Sequence, residues 1–276
     1  DKSSRLTFSG EEGTPYFLLA SPDLTGPTYR KRWVELSNGN FAATPTIFPD
    51  NDADEFSKRF YVVTGPTLRK AKIMPVGDSI TEGGGTFWVY RLPLAAKLSA
   101  AGYRFEYVGT KTTFGGVPHE GYAGNNATQV ASQMVSHVGA FSPDIVLIHS
   151  GHNFDLNTES ESQIIGKIET ATRSMITAAR TANPRVTIVL AQVITSPKAS
   201  DNNPNVVKYG YIPALNTRLA EVAAELSTAI QPVIIVNQAE GWNTPTDATG
   251  DLVHPTEAGA EKMATKWFAA LQPLLE

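Results

Sequence analysis

A chain of 276 residues with 41% hydrophobic and 18% charged positions can hold one α/β domain with an appendage, and it is too apolar for a disordered polymer. The formal net charge of −4 supplies no basic excess to neutralise phosphates, so neither nucleic acid nor an anionic membrane is expected as a partner. Cysteine is absent, which excludes disulfides, thiolate metal sites and a cysteine nucleophile, and no apolar run reaches the ~20 residues of a membrane helix.

The chain opens at Asp1 without an initiator Met or a signal peptide, as a trimmed chain or a mature product would. Residues 1–70 carry short apolar or aromatic runs: Tyr16–Leu19, Arg32–Leu36, Thr46–Phe48 and Arg59–Val63. Turn formers separate them at Ser21-Pro22-Asp23, at Ser37-Asn38-Gly39-Asn40 and in the acidic run Asp50–Glu55. This pattern predicts about four antiparallel strands and their hairpins. That is small for an independent sandwich. We expect a β module leaning on the larger domain C-terminal to it, or the remnant of a longer N-terminal region.

From residue 71 the texture changes. Ile73–Val76, Phe105–Val108, Asp144–His149, Val186–Val193 and Val233–Asn237 are short continuous apolar runs, as parallel strands buried on both faces require. Amphipathic segments alternate with them: Phe87–Ala101, Thr128–Val138, Ser160–Ala182, Tyr211–Thr228 and Thr256–Leu274. In the third, Ile164, Ile165, Ile168, Met175, Ile176 and Ala179 recur at helical spacing, and Asn183-Pro184 stops the helix. The alternation predicts an α/β fold, a doubly wound parallel five-stranded sheet flanked by helices over 71–276, with the β module of 1–70 before it.

Open parallel sheets bind ligands beyond the carboxyl ends of their strands. Gly77-Asp78-Ser79-Ile80-Thr81-Glu82 follows the first of these strands. Ser79 on such a turn exposes its hydroxyl and its own N–H, or it caps a helix. Beyond the third strand, Asn153 in Ser150-Gly151-His152-Asn153-Phe154 either donates to an oxyanion or caps a loop. Between them, His119-Glu120-Gly121-Tyr122-Ala123-Gly124 holds glycines that serve turns or a close backbone approach. Asp251-Leu252-Val253-His254-Pro255 precedes the last helix. Three residues apart on a turn, Asp251 can fix one imidazole nitrogen of His254 and leave the other free to take a proton.

Separately these are weak signals; in this order they resemble the SGNH (GDSL-type) hydrolase superfamily. Gly77-Asp78-Ser79-Ile80-Thr81, Gly124, Gly151-His152-Asn153 and Asp251-Leu252-Val253-His254-Pro255 carry the likeness, from about Lys72 to Leu275. Within it the chain is similar to carbohydrate esterase family 3, through Lys72-Ile73-Met74-Pro75-Val76, Tyr107-Val108-Gly109 and Asp144–His149. The family's third block usually reads Gly-Thr-Asn-Asp; here His152 and Phe154 replace its Thr and final Asp, while Asn153 is kept. Residues 1–70 fall outside the resemblance.

The resemblance implies a serine esterase removing acetyl or other short acyl groups from cell-wall polysaccharide, acetylated xylan foremost. Ser79 would be the nucleophile, His254 the general base and then acid, and Asp251 the carboxylate behind it. Ser79 and Gly124 through their N–H groups, and Asn153 through its side-chain amide, would form the oxyanion hole. Asp78, His119, Tyr122, His152 and Trp242 are candidate substrate contacts. Trp242 offers a sugar platform, a small-acyl wall or simply a loop anchor.

His149 reads as a core residue, and His137 suits a helix C-terminus. His119, His152 and His254 could in principle gather around zinc, but no metal-ligand spacing supports it, so neither metal nor cofactor is expected. The sequon Asn126-Ala127-Thr128 adjoins the oxyanion glycine and is discounted. Trp33 and Tyr61 could touch polysaccharide, though aromatics in a small β module usually form its core. The resemblance further implies a secreted bacterial monomer. The alternatives are a broad short-chain esterase acting on small esters and a non-catalytic carbohydrate-binding protein on the same scaffold.

Overall fold

The computed structural model describes residues 4–24, 30, 32–65 and 69–276. Contacts divide the chain into two compact units, Asp1–Ala71 with Gly102–Arg104 and Leu274–Glu276, and Lys72–Ala101 with Phe105–Pro273.

The first unit is built from β1 (Ser4–Phe8), β2 (Pro15–Ser21), β3 (Val34–Asn40), β4 (Thr46–Asp50) and β5 (Phe60–Thr64). β2 pairs antiparallel with both β3 and β5, while β1 pairs antiparallel with β4. Leu18, Leu19 and Ala20 of β2 are buried, and Phe8, Tyr16 and Phe41 form an aromatic cluster with centroids 5.0–6.3 Å apart. The sequence missed β1, whose short alternating run lacks a strong apolar signal. It also put a turn at Ser37–Asn40, which instead continues β3 opposite Pro15–Leu18. Pairing with an apolar neighbour outweighs local turn preference there. Trp33 is buried, and Tyr61 donates its hydroxyl to Asp50 at 2.9 Å.

In the second unit the chain runs β6 (Ala71–Gly77), α1 (Ser79–Glu82), α2 (Arg91–Ala100), β7 (Phe105–Tyr107), β8 (Glu120–Gly121), α3 (Ala127–Phe141), β9 (Ile145–His149) and α4 (Glu161–Ala182). It continues with β10 (Thr187–Gln192), β11 (Ala199–Ser200), β12 (Asn203–Val207), α5 (Ile212–Leu226), β13 (Val233–Asn237), α6 (Thr244–Asp247) and α7 (Glu257–Leu275). The sheet order is β13-β10-β9-β6-β7, with two-residue β8 added beside β6. β6, β9, β10 and β13 run parallel, with Ile73 opposite Ile145 and Ile188 opposite Val233.

The central strands β6, β9 and β10 are buried on both faces, as their unbroken apolar sequences require. Edge strand β13 is not: Ile235 is 37% exposed, where the helical cover ends. Capping boxes start α3 at Asn126 with Gln129 and α4 at Ser160 with Gln163. α4 buries Ile164, Ile168, Met175, Ile176 and Ala179 as the sequence spacing predicts, with Ile165 half-buried. α2 begins at Arg91, four residues later than expected, because Phe87 leaves the helix to pair with Gly84 and pack elsewhere.

Candidate active site

The turn after β6 has no spare room. A Cβ on Gly77 would lie 2.2 Å from the His149 carbonyl oxygen, so only glycine lets β6 and β9 close up beneath the turn. Asp78 then caps α1, accepting the Ile80 N–H at 3.0 Å. Ser79 thereby becomes the first helical residue, where its N–H has no acceptor within the helix.

The loop before α7 brings the histidine to that serine. Asp251 Oδ1 accepts the Val253 N–H at 2.8 Å, the His254 N–H at 3.0 Å and the Thr249 hydroxyl at 2.9 Å. Its other oxygen meets His254 Nδ1 at 2.5 Å, and His254 Nε2 meets Ser79 Oγ at 2.7 Å. Phe87 stacks on the imidazole at 4.0 Å and 19°. Partial burial pushes the Asp251 carboxyl up, but the hydrogen bonds from His254, Val253 and Thr249 outweigh it and hold the group well below the usual range. The carboxylate stays ionised and keeps Nδ1 protonated, leaving Nε2 to accept the Ser79 proton.

Two further donors border the same space. Gly124 has φ +77° with nothing within 4 Å of where a Cβ would be, so its backbone conformation, not crowding, calls for glycine. Asn153 sits at φ +67° in the left-handed region, tolerated by Asn more than by most residues. Its Nδ2 donates to the Asn125 carbonyl at 2.9 Å, leaving the second amide hydrogen for a ligand. Ser79, Gly124, Asn153 and His254 line one cleft of about 410 Å³, together with Glu82, Gly83, Phe87 and Phe114. Backbone and amide N–H groups bordering the space beside an activated hydroxyl suit stabilisation of a tetrahedral oxyanion.

The remaining sequence candidates are placed differently. Asp78 is fully buried; Oδ2 has no hydrogen-bond partner and lies 3.8 Å from His152 Nδ1. Burial pushes the Asp78 carboxyl up to about 7. His152 is equally buried, and desolvation with neighbouring His149 takes it down to about 3. His119 accepts the Gly121 N–H at 2.9 Å and faces the Thr113 hydroxyl at 3.0 Å, so both ring nitrogens are used inside the protein. Tyr122 gives its hydroxyl to Glu120, which His137 also approaches at 3.2 Å.

Asp78, His119, Tyr122 and His152 are not among the residues that line the Ser79 cleft, and Asp78, His119 and His152 are buried. Trp242 borders a separate cavity. Among the described residues no group of three or more His, Asp or Glu could hold a metal ion. His149 is buried in the core, and Asn126 caps α3.

Sequence reasoning missed the scaffold of the Gly124 loop. Glu82 accepts the Ala123 N–H at 2.6 Å and the Thr113 hydroxyl at 3.0 Å, and it pairs with Lys111. Desolvation opposes ionisation of Glu82, yet Lys111 and the Ala123 N–H together hold its carboxyl below the usual value. Arg91 is fully buried and donates to the carbonyls of Thr81, Glu82, Thr113 and Val117. The available signal was an acidic residue directly before the glycine run 83–85 and an arginine inside an apolar helix.

A hydroxyl, an imidazole and a carboxylate in series beyond a parallel sheet are the equipment of an acylhydrolase. Residues 76–262, more than half of the chain, match the GDSL-like lipase/acylhydrolase family, and the chain belongs to that family. It is therefore a carboxylic ester hydrolase by family. No curated protein matches the chain. A carbohydrate esterase family 3 structure from Talaromyces cellulolyticus is similar at TM-score 0.62 and 26% identity, over 74% of this chain and 98% of that one. The family 3 carbohydrate esterase of Clostridium thermocellum is similar at TM-score 0.61 and 27% identity, over 75% and 100%. An acetyl esterase variant solved with acetate ion gives TM-score 0.61 and 25% identity, over 74% and 98%.

Proposed function

We propose that the protein removes acetyl groups from cell-wall polysaccharide, acetylated xylan foremost, through an acyl-enzyme on Ser79. One observation carries the chemistry: the unbroken hydrogen-bonded series from Ser79 Oγ through the His254 ring to Asp251. The similar structures, two of them family 3 carbohydrate esterases, support the substrate class.

His254 Nε2 takes the Ser79 proton as Oγ attacks the ester carbonyl carbon. The N–H groups of Ser79 and Gly124 and the Asn153 amide stabilise the oxyanion, each donor contributing ~2.7–4 kcal/mol at the transition state. The imidazolium, held by Asp251, returns the proton to the departing sugar oxygen. Water, deprotonated by His254 in turn, then attacks the acyl carbon; the bond to Ser79 Oγ breaks, Oγ takes the proton back from His254, and acetate is released. Phe87 and Phe114 give the cleft apolar walls, which suit an acyl group. Those same apolar walls favour a second reading, a broad short-chain esterase on small esters.

Acetate release from acetylated xylan, glucomannan and pectin, set beside hydrolysis of p-nitrophenyl esters of increasing chain length, separates the two. Release from a polysaccharide with little activity beyond short acyl chains is expected. Turnover of small esters with no acetate from any polysaccharide would leave only the second reading.

A further inference from the structure

We propose that the cavity at the carboxyl ends of β10 and β13, walled by Trp242 and Tyr209, is a glycan subsite for a neutral sugar of the chain whose ester Ser79 cleaves. The inference rests on the reading of a polysaccharide substrate and adds where that substrate is held.

The topology places the cavity. In the order β13-β10-β9-β6, Ser79 follows β6 and Asn153 follows β9, while the cavity is lined by segments that follow β10 and β13. All four strands are parallel, so these segments share one edge of the sheet. Two to three strand spacings, on the order of 10–14 Å, separate them along that edge. A short oligosaccharide spans that distance, whereas the acyl group of a small ester does not.

The lining determines the chemistry of the occupant. The cavity measures about 450 Å³, and no charged side chain lines it among the described residues. The half-buried Trp242 contributes an indole, Tyr209 reaches the cavity with little of its surface, Pro197, Pro213 and Pro245 stiffen the walls, and Asn243 adds an amide. Flat apolar faces with scattered neutral hydrogen-bonding groups suit a sugar ring, apolar on its C–H face and hydroxylated at its rim. Trp242 Nε1 is shielded from solvent and has no hydrogen-bond partner within the protein.

Tyr209 joins this cavity to the reacting centre. Its ring stands edge-on to His152, the neighbour of Asn153, at 5.1 Å and 74°. The hydroxyl-rich, uncharged walls argue against an anionic or strongly apolar occupant.

The test uses neutral, unacetylated xylo-oligosaccharides as the probe and the full chain as the receptor. Calorimetry with wild type should give saturable binding. Trp242→Ala should bind about tenfold more weakly or worse, and Trp242→Phe, which keeps a flat ring, should fall between them. Melting temperatures within a few degrees would confirm that both variants are folded. No binding by wild type, or equal binding by wild type and a folded Trp242→Ala, would overturn the subsite. The probe carries no ester, so this outcome is independent of acetate release. Binding without acetate release from acetylated xylan would instead keep the subsite and overturn the polysaccharide-esterase reading.

Discussion

Asn153 shows how much one side chain is asked to do. It occupies left-handed backbone space, spends one amide hydrogen on Asn125 and presents the other to the cleft. Asn153→Ala should lower kcat by about 10²–10³ with little change in KM, because the lost donor acts on a charge that exists only in the transition state. Steady-state kinetics on p-nitrophenyl acetate decide it; a rise in KM alone would make Asn153 a ground-state binding group. Asp78, beside the serine, is a buried carboxyl with one oxygen unpartnered. Burial raises it to about 7, so the folded state holds this proton more tightly than the unfolded chain, where the usual value is ~3.9. Its favourable contribution is present below ~pH 4 and is lost as pH rises through about 7. Asp78→Asn keeps a helix cap and removes the buried charge. Its melting temperature should therefore gain on wild type at about pH 8 and not at about pH 4. An equal difference at both values would show that the charge at Asp78 is not what burial penalises.

Elements with a repeating pattern were legible before the structure; those defined by a partner were not. The five principal strands of the sheet and helices α3, α4, α5 and α7 came from apolar runs and helical periodicity, which local chemistry determines. Two-residue β8 and β11 are too short to carry a period and exist through pairing with β6 and β12. The same division holds at the site. Ser79, Asp251 and His254 lie on short local motifs. The burial of His119 and His152, and the grip of Glu82 on the Gly124 loop, depend on segments far apart in sequence. That grip is testable. Glu82→Gln weakens the ion pair with Lys111 and the acceptor for the Ala123 N–H. The neighbouring Gly124 should then be held less firmly, so kcat should fall several-fold while KM moves less. The melting temperature should drop modestly, as hydrogen bonds to a charged group contribute ~1.5–3 kcal/mol. Unchanged kcat with a lower melting temperature would confine Glu82 to stability.

Across the whole molecule, acid sensitivity should follow carboxylates tied between elements. Glu169 on α4 holds Arg218 of α5 through both oxygens, at 2.7 and 2.8 Å, and Arg173 at 2.9 Å. The hydrogen bonds from Arg218 and then Arg173 pull the Glu169 carboxyl down to about 2. A depressed value contributes stability above the unfolded value of ~4.3, and that contribution is lost as pH falls through about 2. Glu169→Gln should flatten the acid limb of the melting-temperature profile, less so at high salt, where this half-exposed cluster is screened. An unaltered acid limb would remove the cluster from the account.

The central claim is that Ser79 is the nucleophile of an ester hydrolase, and covalent trapping tests it most directly. The protein is treated with a fluorophosphonate, and the modified serine is located by peptide mass spectrometry while hydrolysis of p-nitrophenyl acetate is followed. One adduct on Ser79, loss of hydrolysis in step with labelling, and neither labelling nor turnover in a folded Ser79→Ala is the expected result. An adduct on another serine, or undiminished hydrolysis once Ser79 is fully labelled, would contradict it.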